Sequence, residues 1–160
     1  MTYTFRAQTS EERKLHAGGS KICEIYDFFT FHNELEEKTA LAYGQLKTLF
    51  GEPTYSSKNF EELYQYDICA ESDNGGKVYL CAYCGPTGPS IGGDASKLAE
   101  EAANALAQKI QDTPASDYEI ICYYLDGPSK IIQGVKDGKA YMQEEEADYN
   151  DPELAALINY

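Results

Sequence analysis

Two alternating runs, placed back to back, most narrowly limit what this chain can fold into. In the first, Tyr64, Tyr66, Ile68 and Ala70 fall on one side of an extended backbone, and Leu63, Gln65, Asp67 and Cys69 on the other. In the second, Val78, Leu80, Ala82 and Cys84 share a side, with Tyr79, Cys81 and Tyr83 opposite. A period of two buries one face only in a sheet. Ser72-Asp73-Asn74-Gly75-Gly76 between the runs is turn chemistry. The segment therefore predicts an antiparallel hairpin. A lone hairpin is marginal in water, so other elements must cover its apolar face.

Helical spacing supplies that cover twice. Asn33 is a capping residue, Glu34, Glu36 and Glu37 suit a first turn, and Leu35, Ala42, Leu46 and Leu49 form one stripe. Gly51 and Pro53 end this helix near Phe50. The clearer helix runs from about Ala95 to Gln111, with Asp94 as its cap and Leu98, Ala102, Leu106 and Ile110 as its stripe. Alanines 99, 103, 105 and 107 allow close approach to a sheet, and Pro114 prevents continuation.

Residues 117–125 are the most apolar run, as expected for a central strand covered on both faces. After Gly127-Pro128, the stretches 131–135 and 140–142 flank Asp137-Gly138, a strong hairpin signal. Glu144 to Glu153 holds six acids and no base. Asp151-Pro152-Glu153 then starts a short helix that Leu154, Leu157 and Ile158 would dock. Residues 1–33 are harder to read. Thr9 and Glu12 fit a capping box for a helix reaching toward Gly18-Gly19, while Ile22 to Phe31 suits a helical face and a strand equally. The order of elements predicts a single α+β domain over residues 1–160. It has a mainly antiparallel sheet of about five strands with helices on one face, and the alanine-rich helix can act as a crossover that makes one strand pair parallel. Residues 144–160 form an acidic tail with a short helix.

With 42% hydrophobic residues over 160 positions the chain can bury a core. No apolar stretch is long enough to span a membrane, and the first residues lack the pattern of a secretory signal. The 27 acidic and 13 basic residues give a net charge of −14. That charge repels phosphate backbones and anionic membranes, and attracts basic partners over long range. It also simply favours solubility. The five cysteines, Cys23, Cys69, Cys81, Cys84 and Cys122, lack framework spacing and read as reduced thiols of a cytoplasmic protein.

No catalytic set, metal site or cofactor motif emerges. The stretch from Gly85 to Gly93 matches neither common phosphate-binding pattern. No lysine or arginine lies between Cys84 and Lys97, and Asp94 would compete with an anion. A tight connector or a contact loop fits better. Cys81 and Cys84 are half of a zinc set and would point to opposite faces of a strand. His16 and His32 have no partner in recognisable spacing. Glu61-Glu62, Asp67, Glu71 and Asp126 read as a solvated rim. The 14 tyrosines offer large contact area at low entropy, although many fall in strands. An exposed subset beside acids would suit a basic protein with apolar patches.

The pattern Leu49-Phe50-Gly51-Glu52-Pro53, Tyr64-Gln65-Tyr66 and Gly88-Pro89-Ser90-Ile91-Gly92-Gly93 before an alanine-rich helix resembles small bacterial immunity proteins of polymorphic toxin systems. The resemblance spans residues 40–145. It implies a cytoplasmic acidic α+β protein without catalytic residues that binds and blocks a cognate toxin, often a basic nuclease. On that expectation the contact residues are Tyr64, Tyr66, Tyr83, Ser90 and Ile91, assisted by Glu144, Glu145 and Glu146. Two alternatives stay open: a small enzyme or small-molecule binder using the 85–94 loop, and a homo-oligomer that pairs exposed strand edges.

Overall fold

The computed structural model describes residues 2–26, 35–59, 64–85, 88–94, 96–124, 129–148 and 150–158, with the side chains of 35 and 36 excepted. The expected Asn33 cap with Glu34, the side chains of Leu35 and Glu36, residues 27–31, the pair Glu61-Glu62, Leu63, Leu125, Asp126 and the 127–128 turn lie outside them.

The strands are β1 (Tyr3–Ala7), β2 (Ser20–Glu24), β3 (Tyr55–Ser56), β4 (Tyr64–Ser72), β5 (Lys77–Gly85), β6 (Gly88–Gly93), β7 (Tyr118–Tyr124), β8 (Ser129–Lys136) and β9 (Lys139–Glu146). The helices are α1 (Ser10–His16), α2 (Leu35–Phe50), α3 (Lys97–Gln111) and α4 (Pro152–Ile158). The fold is α+β, and every pair of named strands is antiparallel. The strands divide into two sheets rather than one. A six-stranded sheet has the order β1-β4-β5-β6-β2 with β3 beside β4, and a three-stranded sheet has the order β7-β8-β9.

The 64–84 hairpin forms as its alternation requires, pairing Tyr64 with Cys84 through Glu71 with Lys77. Tyr64, Tyr66, Ile68 and Ala70 join Val78, Leu80, Ala82 and Cys84 in one buried core. The two long helices lie on that face. From α2 come Ala42, Tyr43 and Leu46; from α3 come Ala99, Ala102, Ala103, Leu106, Ala107 and Ile110. Leu98 is not part of the α3 stripe and stands exposed. The cap of α3 is Ser96, which accepts the Ala99 N–H at 3.1 Å, and not Asp94.

Helices are not confined to one face. α1 links β1 and β2, the two edges of the large sheet, across its other side. Its Thr9 and Glu12 form the expected capping box, and His16 stacks on Tyr79 at 3.8 Å. The 88–93 stretch is no loop. It is β6, held between β5 and β2, where glycines let the strands come close: a Cβ on Gly19 would lie 2.5 Å from the Gly93 Cα. The chain after α3 enters the second sheet, so no parallel crossover pair forms. β7 is an edge strand and not a central one.

The Asp-Gly hairpin is present, with Asp137 at φ 52° and Gly138 at φ 78°, the left-handed pair that a two-residue turn of this type needs. α4 docks through Leu154 and Leu157 onto Tyr123 and Ala147, while Ile158 stays exposed. No helix among the described residues is long and apolar enough to cross a membrane.

Candidate binding surface

The outer face of the three-stranded sheet is set by register. Three rows cross it: Glu119–Gly134–Tyr141, Ile121–Ile132–Gln143 and Tyr123–Lys130–Glu145. The alternate residues Tyr118, Ile120, Cys122, Ile131 and Met142 turn inward to the core.

The Tyr123 row is closed by α4. Burial, and then the carboxylate of Asp151, push the Tyr123 phenol up to about 12; its hydroxyl donates to Asp151 Oδ2 at 2.9 Å. That bond, with the Glu153 N–H donated to Oδ1 at 2.9 Å, holds the Asp151 carboxyl below its ordinary range. Asp151 thus caps α4 and fastens it to β7.

The other two rows are open. Ile121 is 40% exposed, Ile132 and Tyr141 are half-buried, and Glu119, Gln143 and Glu145 are exposed. Gly134 organises them. A Cβ there would lie 2.3 Å from the Tyr118 carbonyl oxygen and 2.6 Å from the Tyr141 hydroxyl. Its absence lets the Tyr141 ring lie across β8 and donate to Glu119 Oε2 at 2.6 Å. The bond to this carboxylate raises the Tyr141 phenol, since ionising it would set two negative charges together. The result is an apolar and aromatic patch rimmed by acids.

A groove of about 520 Å³ adjoins this face along the outer edge of β7. Its floor is Tyr43 and Tyr64, whose rings stack at 3.9 Å with 2° between planes. Burial drives both phenols well above their usual range. The far wall carries two ion pairs, Lys47 with Glu52 at 3.1 Å and Lys58 with Glu153 at 2.6 Å.

The contact residues expected from sequence separate into three groups. Tyr64, Tyr66 and Ile91 are core residues, at 6%, 2% and 0% exposure, and are not surface anchors. Their strands face the long helices, so the alternation that marks them as strand residues also buries them. Tyr83 and Ser90 are half-buried and directly opposed on the outer face of the large sheet. They line a shallow pocket of about 280 Å³ with Gln65, Lys21 and Cys81. Glu144, Glu145 and Glu146 are exposed along β9, on the other sheet. Only Glu145 lies on the face described above.

Cys81 and Cys84 point to opposite faces and are both buried, and burial raises each thiol, Cys84 to about 12. Among the described residues no group of three or more His, Cys, Asp or Glu side chains is placed to hold a metal ion. Glu119, Ile121, Ile132 and Tyr141 were not singled out by sequence. The Asp-Gly turn fixes Gly134 opposite Tyr141, but nothing local fixes β7 against β8. No family model, curated protein or solved structure matches the chain.

Proposed function

We propose that this protein is a non-catalytic, stoichiometric binding protein of the immunity kind, which covers and blocks a basic toxin domain. The observation that carries this reading is the acid-rimmed patch of Ile121, Ile132 and Tyr141 on a chain of net charge −14. Tyrosine and isoleucine supply desolvated contact area, and the surrounding carboxylates steer a cationic surface toward it. Glu145 extends the rim along β9, and Glu144 and Glu146, exposed on the strand's other side, add to the negative field around it.

The test begins with tagged protein in lysate of its source organism, at low and then physiological salt, with bound proteins identified by mass spectrometry. One stoichiometric basic protein, weakened by salt, is the expected result. Its association rate with E144K/E145K/E146K should then fall about tenfold at low salt, within the range of electrostatic steering. The variant's salt dependence should be shallower. Recovery of no basic partner would refute the proposal; unchanged kinetics would remove the three glutamates from it.

A further inference from the structure

We propose that the open edge of β7 is a strand-addition site, which takes an extended basic segment of the partner into the groove and pairs it, main chain to main chain, with Glu119 and Ile121. This rests on the binding reading above and specifies its mode.

The direction of the edge groups follows from one hydrogen bond. The Tyr123 N–H donates to the Lys58 carbonyl at 2.7 Å, on the side of β7 away from β8. In an antiparallel pair, alternate residues send both main-chain groups to the same side. Ile121 and Glu119, two and four residues earlier, therefore present their N–H and C=O outward as well. Among the described residues nothing pairs with those groups.

The chain itself begins this pairing and abandons it. Asn59 makes an isolated parallel bridge to Tyr123, but Tyr55 and Ser56 pair with β4 instead. Ser56, Ser57 and Lys58 line the groove together with Glu119, Ile120 and Ile121. A three-residue strand segment fills roughly 500 Å³ at ordinary rise, strand spacing and sheet thickness. The groove, at about 520 Å³, takes one such segment.

The two edges of the small sheet are treated differently. β9 ends in three consecutive exposed glutamates, a common guard against edge pairing. β7 presents Ile120 and Ile121 to the groove beside a single glutamate, Glu119. The charge of the site selects the occupant. Lys47 and Lys58 are each held by a glutamate, whereas among the described residues the Glu119 carboxylate accepts the Tyr141 hydroxyl and has no cation at ion-pair distance. A lysine or arginine opposite Glu119 and an aliphatic residue opposite Ile121 make favourable cross-strand pairs. A second copy of this chain would set two charges of −14 together.

The probe is a synthetic eight-residue peptide of alternating lysine and valine, added to the full chain and followed by amide NMR and hydrogen exchange. Binding should weaken about tenfold between low and physiological salt. Exchange at the Glu119 and Ile121 amides should slow about tenfold on binding, while Ile120, already bonded toward β8, stays unchanged. I121P removes the outward N–H without breaking the ladder, a placement edge strands tolerate. With its fold checked by circular dichroism, it should bind the peptide about fivefold less tightly, whereas I121V should bind normally. No binding, binding without protection of those two amides, or equal binding to I121P would overturn the proposal. So would the same protection arising without peptide as protein concentration rises, which would assign the edge to a second copy. A captured basic partner that binds I121P as well as wild type would end strand addition and leave the charge-steered reading standing. Peptide protection of the edge with no basic partner recovered would do the reverse.

Discussion

At the scale of single residues, Gly134 is the position on which the candidate face most depends. Its neighbours leave no room for a side chain, because the nearest obstacle is the Tyr118 carbonyl at 2.3 Å, a backbone atom that cannot swing away. Gly134→Ala should therefore destabilise the protein by about 2 kcal/mol, within the range for overpacking. A lower urea midpoint at constant slope would show it. The same methyl would push the Tyr141 hydroxyl from Glu119, so partner affinity should fall more than stability alone explains. Tyr141→Phe separates the two effects. It keeps the ring over β8 and removes only the hydrogen bond to Glu119, an exposed contact whose loss should change stability by less than about 0.5 kcal/mol. A midpoint shift as large as that of the glycine variant would mean the hydroxyl, and not the space above Gly134, holds the face together.

At the scale of elements, what tied each segment down decided whether its sequence revealed it. The 64–84 hairpin, the body of α2 and the Asp-Gly turn are specified by short-range periodicity and turn chemistry, and each lies where those signals lie, the expected Asn33 cap being outside the described residues. β6 was hidden because Gly-Pro-Ser-Ile-Gly-Gly contains few strand formers; its extended form is imposed by β5 and β2 on either side. β7 looked central because it is nearly all apolar, yet Tyr123 alone on its outer face is buried, and only because α4 lands there. That landing includes a hydrogen bond between residues 28 apart and leaves no local trace. Leu154 carries it, fully buried against Tyr123 and Ala147. Leu154→Ala should cost about 2–3 kcal/mol. If α4 helps hold that region of β7, the Tyr123 amide, which donates to the Lys58 carbonyl, should also lose exchange protection. α1 is held differently, by charge. Arg6 bonds both oxygens of Glu12, at 2.7 and 3.0 Å, and the Thr9 N–H adds a third bond at 2.9 Å. These hold the Glu12 carboxyl far below the ordinary glutamate range, Arg6 contributing most. A depressed carboxylate gives stability that is complete above its unfolded pKa of about 4.3 and drains away as pH falls below it. Wild type should therefore exceed Glu12→Gln in stability at neutral pH, and the gap should narrow steadily below pH about 4.3. Denaturant titrations at several pH values would test this; a gap constant from pH 6 to pH 3 would mean the charge of Glu12 is not what anchors the helix.

At the scale of the whole molecule, the excess of negative charge acts on folding and on binding with opposite signs. Apart from Arg6 with Glu12, ion pairs among the described residues such as Lys21 with Glu24 and Lys58 with Glu153 are largely exposed and individually weak. They cannot offset the mutual repulsion of a chain at −14. The compact state draws those charges closer than the unfolded chain does, so it bears more of the repulsion. Sodium chloride shortens the screening length from about 30 Å at 0.01 M to about 8 Å at 0.15 M, which relieves that repulsion more than it weakens close pairs. The melting temperature should thus rise with salt over this range. Association with a basic partner should move the other way, because the attraction that speeds encounter acts over the distances that salt screens first. Both can be read on one protein, by calorimetry and by stopped-flow mixing across the same salt series. A melting temperature that falls with salt would mean that specific ion pairs outweigh the net charge in holding the fold. An association rate indifferent to salt would mean that the acidity serves solubility alone, with recognition left to the apolar row and the edge of β7.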